Sequence, residues 1–258
     1  MDIGKAFAFV FEDEAWITMI LIAAAILLLG VLFSWLLMIP LILALALLGG
    51  YSVEITRRVL RGQLDGLPEW DDWGTLLAEG LKVMVIAIVY ALPLIILGIC
   101  LGVPSGFLSD SGDAGAAVGG LLGFLLSCFA FLYAIAMSIV LPAAIAFYAA
   151  EDDLGAAFRF GDVFGLVRDN LGTYLITWVM SWVANLIGEA GSLVCGIGWF
   201  LTFPYGVMVT GHLYGQAYAA STGQAAVPAP VLDEVVVEEE AVEVEEAAED
   251  EESGEEPA

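Results

Sequence analysis

Ionisable and nucleophilic groups are scarce in this sequence. Its 258 residues include one histidine, three cysteines and seven Lys+Arg. A single histidine excludes a His-Glu-x-x-His helix and any multi-histidine metal site. Neither Lys5 nor Lys82 follows a Gly-rich phosphate loop, and no Gly-x-Ser-x-Gly elbow is present. Cys100, Cys128 and Cys195 are odd in number and share no metal-ligand spacing. They read best as small buried side chains, with a Cys100–Cys195 disulfide as the alternative. No catalytic residue, metal or cofactor is expected. So few bases also leave no electrostatic footprint for nucleic acid.

Charge of either sign is sparse over most of the chain. Charged residues make up 15% and hydrophobic residues 60%. A soluble domain carries roughly a quarter charged residues, so an ordinary water-soluble globule is excluded. Uncharged stretches fill the intervals from Glu14 to Glu54, Lys82 to Asp110, Asp113 to Glu151, Asp169 to Glu189 and Glu189 to Asp233. About 20 helical residues cross a hydrocarbon core of about 30 Å. Backbone groups in lipid must bond internally, and none of these stretches alternates at period two, so helices are expected and a β-barrel is not.

The fold class expected is all-α: a polytopic transmembrane helix bundle of about six spans. Gly30, Ser34 and Pro40 break the first stretch into a hairpin, span 1 at 16–33 and span 2 at 39–57. Spans 3 to 6 fall at 83–101, 118–148, 171–187 and 197–219. The loops bearing Arg57, Arg58, Arg61 and Lys82, and Arg159 and Arg168, both lie inside by the positive-inside rule. Both termini are then cytoplasmic in a multi-pass protein of the cell membrane. Five spans with the N-terminus outside is the alternative, if residues 16–57 form one bent helix. No cleavable signal peptide is expected at the N-terminus.

Two loops read as cytoplasmic interfacial amphipathic helices. The first, within 69–82, puts Trp70, Trp73, Leu77 and Leu81 on one face. The second puts Phe160, Phe164, Val167 and Leu171 opposite Arg159, Asp162, Arg168 and Asp169. Asp71-Asp72-Trp73-Gly74 and Asp162-Val163-Phe164-Gly165 form a weak repeat. Glu54 stands four residues before Arg58, the favourable order for a helical ion pair. Intramembrane polar candidates are His212, Asn185, Tyr205 and Ser181. Glycines four apart (98, 102, 106; 115, 119, 123; 211, 215) suit close packing within the bundle. The domains are a membrane bundle, 1–220, and an acidic cytoplasmic tail, 221–258. Residues 233–258 hold 14 acids and no base, a composition expected to be disordered and able to recruit a basic protein partner.

Gly50-Tyr51, Arg57-Arg58, Gly62, Leu67-Pro68-Glu69-Trp70-Asp71-Asp72-Trp73-Gly74, Gly80-Leu81 and Pro93 resemble a prokaryotic membrane family, domain of unknown function 4013. The resemblance spans about residues 15–220 and implies a multi-helix membrane protein without transferable site residues. Leu154-Gly155-Ala156-Ala157-Phe158, leading to Asn170, is distantly similar to membrane domains of glycerophosphodiester phosphodiesterases. The function expected is non-enzymatic organisation of membrane lipids or a partner protein. Arg57, Arg58, Arg61, Lys82, Trp70 and Trp73 would meet headgroups. A small-solute or lipid transporter is the alternative, and no feature indicates a homo-oligomer.

Overall fold

A computed structural model describes residues 1–36, 38–193 and 196–223. The acidic tail and Cys195 lie outside the described residues; Cys100 and Cys128 are exposed rather than buried as expected, and neither forms a disulfide among the described residues. The described chain is all-α. Its α-helices are α1 (Ile3–Glu12), α2 (Trp16–Leu32), α3 (Ile39–Leu60), α4 (Trp73–Leu97), α5 (Val103–Ser109), α6 (Asp113–Glu151), α7 (Phe160–Asp169), α8 (Leu171–Ala190) and α9 (Trp199–Thr222). A π-turn at Gly98–Gly102 joins α4 to α5, so Trp73–Ser109 is one 37-residue rod.

The expected hairpin forms. α2 ends at Leu32, Met38 takes a left-handed conformation, and Pro40 sits in the first turn of α3, where its missing N–H costs nothing. Gly30 of α2 lies against Pro40 and Ala44 of α3. The helices α3 and α4 then approach through glycines. A β-carbon on Gly50 would overlap the Leu76 carbonyl, and one on Gly80 would overlap the Ala46 carbonyl. Gly211 and Gly215 bring α9 equally close to Ser52, Thr56 and Val59 of α3, and Thr56 Oγ1 donates to the Gly211 carbonyl at 2.8 Å. Gly115 and Gly119 pack against α5, whereas Gly98, Gly106 and Gly123 meet open space.

Helices coincide with all six expected spans, but the span count is revised. Among the described residues four segments are long and apolar enough alone: Ile39–Leu60, Trp73–Ser109, Asp113–Glu151 and Leu171–Leu193. The pair α1 and α2, bent by 92°, supplies a fifth if counted as one broken span. α2 alone has only 17 residues. α9 has 24 but carries His212, Gln216 and four hydroxyl-bearing residues from Thr202 to Tyr214. Its polarity suits the middle of the bundle, and Pro204 to Ala219 is largely buried.

The first interfacial helix is also revised. Trp73 opens α4 itself, with Asp72 as the cap: Asp72 Oδ1 accepts from Thr75 N at 3.0 Å. The Thr75 hydroxyl, which donates to Asp72 Oδ2 at 2.6 Å, together with that backbone bond holds the Asp72 carboxyl below its ordinary range. The face of α4 turned inward is Leu76, Glu79 and Gly80; Trp73 and Leu81 point outward. The second short helix exists as α7, but Val163 and Val167 are its buried residues, and Phe160 and Phe164 are exposed. The weak repeat has no structural counterpart, since Asp72 caps a helix and Asp162 lies inside one.

Burial is uneven along the helices. In α6, Val140 to Ala149 is largely buried, while Val118, Leu121, Phe124, Phe131 and Leu132 are exposed. In α4 the buried positions run from Leu76 to Tyr90, while Ile95, Ile96 and, just past its end, Ile99 are exposed. In α3, the exposed Ile39, Ile42 and Leu43 precede a buried half from Ala44 to Val59. Each of these three helices thus has one half wrapped by protein, at the end of the bundle where the bases lie, and one half presenting bare apolar side chains. The bare halves are the hydrocarbon-facing part expected of a membrane bundle.

Candidate functional site

The wrapped end is built around Glu79, 6% exposed on α4. Glu79 Oε2 accepts from Arg57 Nη2 of α3 at 2.6 Å and from the Tyr148 hydroxyl of α6. Glu79 Oε1 accepts from Lys82 Nζ at 2.8 Å. Arg57 Nη2 also reaches Asp152 Oδ1 at 2.6 Å, just past the end of α6. The Arg57 and Lys82 cations both stand 5.5 Å from the centre of the Tyr148 ring, within range of a cation–π attraction. Three helices are therefore joined by one carboxylate. A buried charge is tolerated only when matched, and here two cations and a phenol match it.

Beside this node, α1 lies along α9. Asp2 N donates to Gln216 Oε1 at 2.6 Å, and Gln216 Nε2 donates to the Asp2 carbonyl at 2.8 Å. His212, 1% exposed, has its ring 4.4 Å from that of Phe9. Gln216 Nε2 lies 3.2 Å from His212 Nδ1, and His212 Nε2 lies 3.4 Å from the Leu64 carbonyl. This network assigns the neutral tautomer that accepts at Nδ1 and donates at Nε2. Tyr205 donates to the Phe7 carbonyl at 2.9 Å. Lys5 pairs with Asp65 in the loop before α4 and holds that carboxyl below its usual range.

The 61–72 loop is pinned by aromatic and polar contacts. Trp70 is 6% exposed and stacks on Tyr51 at 4.3 Å. Tyr51 donates to the Pro68 carbonyl at 2.8 Å, Arg58 Nη1 donates to the Leu67 carbonyl at 3.1 Å, and Leu67 N donates to Asp13. Asp13 Oδ1 also accepts from Ala15 N. The expected Glu54–Arg58 pair is replaced by Glu54–Arg61 at 3.6 Å, because the Leu67 carbonyl takes Arg58. Nearby, Glu54, Arg58, Glu69, Asp71 and Asp72 line a groove of about 330 Å³. There a hydrogen bond to Asp71 holds the Glu69 carboxyl above its ordinary range.

The candidate headgroup residues divide. Trp70 is buried, Arg57 is partly covered and paired, Arg58 is held by the loop, and Lys82 is half-exposed but paired; Arg61 and Trp73 are exposed. The intramembrane candidates divide too. His212 and Tyr205 are engaged by α1, and Ser181 is buried with no partner for its hydroxyl among the described residues. Asn185 faces outward and donates to its own helix at Ser181 O, 2.7 Å. Sequence reasoning missed Glu79, Tyr148, Asp152 and the whole of α1. Apolar spacing of Ala6, Phe9 and Val10 behind the Asp2 cap was the available signal for α1. For Glu79 there was none, since nothing in the sequence marks it off from the other acids of that loop.

These features define an all-α polytopic membrane bundle with one end closed by protein. Over residues 32–203, about two thirds of the chain, it matches the family described as "Protein of unknown function (DUF4013)", and the chain belongs to that family. The matched region holds Gly50, Tyr51, Pro68, Trp70 and Gly80, whose contacts set the α3–α4 crossing and the fold of its loop. No curated protein and no solved structure matches the chain. The resemblance of 154–170 to glycerophosphodiester phosphodiesterase membrane domains is unsupported and carries nothing further.

Proposed function

We propose that this is a non-enzymatic membrane protein that organises lipid, or a partner protein, where its wrapped end meets the bilayer. One observation carries the reading. Exposed aromatic and basic side chains stand where a bare apolar stretch begins: Phe160, Phe164 and Arg168 just before Leu171 of α8. Aromatic rings and bases at such a boundary suit the headgroup layer. The Glu79 node supports the same reading, because its ion pairs tie helices together and leave the outward bases for the surface. Arg168 and Arg61 are then the principal headgroup bases, and the cytoplasm is the side they face.

The test is retention of anionic lipid. Protein purified from vesicles of phosphatidylcholine with a minor share of phosphatidylglycerol should retain the anionic lipid above its share. Arg61→Gln with Arg168→Gln should lower that enrichment at least twofold and weaken its salt dependence. Unchanged enrichment sinks the headgroup reading. A transporter would need a polar path through His212, Tyr205, Ser181 and Asn185. Two of these are bonded to or packed on α1 and one points outward.

A further inference from the structure

A groove of about 500 Å³ lies between α1, α2, α8 and α9, away from the Glu79 node. Phe11, Trp16, Ile20, Ile187, Leu201 and Tyr205 line it. Its two hydroxyls are already bonded within the protein. Thr202 Oγ1 donates to the Gly188 carbonyl at 2.5 Å, and the Tyr205 hydroxyl donates to Phe7. A polar solute would lose its hydration there and gain no partner. The rim residues Ile17, Leu21, Ile187 and Leu201 are exposed and continue the bare apolar faces of α2 and α8. The groove therefore opens sideways into hydrocarbon. A helix about 10–12 Å across would exceed this volume within two turns, whereas one extended chain fits.

At one end of the groove the backbone turns through Glu12, Asp13 and Glu14, beside Trp16. Both Asp13 oxygens accept backbone N–H groups, and Glu12 is paired with Lys5. Glu14 is exposed and makes no ion pair among the described residues. We propose that the groove binds one acyl chain of a membrane lipid whose headgroup carries an amine and no net negative charge. The amine meets Glu14, and Trp16 marks the headgroup level. This rests on the lipid-organising reading above and names the lipid class and the place of its chain.

The experiment uses the full chain in phosphatidylcholine vesicles containing a small fraction of either phosphatidylethanolamine or phosphatidylglycerol with a photoactivatable acyl chain. Cross-links are mapped by mass spectrometry. Labelling at Ile17, Leu21, Ile187 and Leu201 should exceed that at the open belt residues Phe124 and Leu132 at least threefold. The ethanolamine lipid should label the groove at least threefold more than the glycerol lipid. Leu21→Trp, which fills the groove from its exposed rim, should lower groove labelling threefold and leave Phe124 labelling unchanged. Glu14→Lys should reverse the headgroup preference without touching the groove wall. Equal labelling of groove and belt, or indifference to Leu21→Trp, overturns the site. A preference for the glycerol lipid, or one unmoved by Glu14→Lys, overturns the headgroup assignment. The Arg61 and Arg168 variants are read in the same vesicles. Loss of the groove signal alone refutes this site, and unchanged anionic enrichment alone refutes the headgroup-base reading.

Discussion

Glu79 has three donors on its two oxygens and almost no access to water. Removing it strands Arg57, whose remaining carboxylate partner is the exposed Asp152. Glu79→Ala should cost about 3–5 kcal/mol, the range for breaking a buried pair from one side. Glu79→Gln keeps an acceptor and should cost less. Thermal unfolding in detergent, followed by tryptophan fluorescence, separates the two, and equal melting temperatures for wild type and Glu79→Ala would refute the node. Gly80→Ala should also destabilise, by about 1–3 kcal/mol through overpacking, because the added carbon meets the Ala46 backbone. Gly98→Ala, in open space, should be neutral to stabilising. Glycine spacing in the sequence marked candidates for close approach. Which of them touch was decided by how α3, α4 and α9 cross, and Gly50 and Gly80 lie in no glycine-every-four series.

At the scale of elements, α1 is a short amphipathic helix whose Ala6, Phe9 and Val10 are fully covered. Phe9→Ala should remove about 3–5 kcal/mol of packing and free α1 before the rest of the bundle unfolds. Faster amide exchange confined to 3–12 and the 61–72 loop is the expected signature; exchange accelerating uniformly would contradict it. The Lys5–Asp65 pair adds a small term on an exposed carboxylate. Because the folded Asp65 is held low, that term is complete above the ordinary carboxylate range and lost as pH falls through the shifted value. Acid and high salt should therefore both loosen α1 slightly. The sequence shows α1 less clearly than α2 because ten residues are too few to cross a membrane, so a search for spans passes over them. The interfacial reading of 69–82 failed for a related reason. The Trp70–Trp73 spacing is helical, but Asp72 caps the helix between them and leaves Trp70 in the loop, where Tyr51 provides a stacking face.

For the whole molecule, long uncharged stretches made the all-α membrane bundle legible, and Pro40 made its first hairpin legible. Those stretches could not reveal that α9 is interior or that half of α3, α4 and α6 is wrapped by one another, by α9, by the 61–72 loop and by α7. Hydropathy reports what a helix could tolerate outside, while burial depends on neighbours distant in the chain, such as Gly211 for Thr56, 155 positions on. The orientation proposed for the bundle is checked with single cysteines in a background lacking Cys100, Cys128 and Cys195. Asp110→Cys, in the exposed turn between α5 and α6, should label from outside intact cells. Asp65→Cys, exposed in the loop before α4, should label only after permeabilisation. The reverse pattern would invert the topology and place Arg61 and Arg168 outside.

The pairing of α1 with α9 also sets a timetable for synthesis. Asp2 and Gln216 are 214 positions apart, so at about 5–20 residues per second α1 waits roughly 10–40 s for its partner to be made. The α3–α4 crossing, whose Gly50 and Gly80 lie close together in the chain, can close long before that. Though made well before α9, α1 is thus buried only after α9 has followed it out of the ribosome. During that interval Phe9 and Val10 are open to whatever handles nascent membrane proteins.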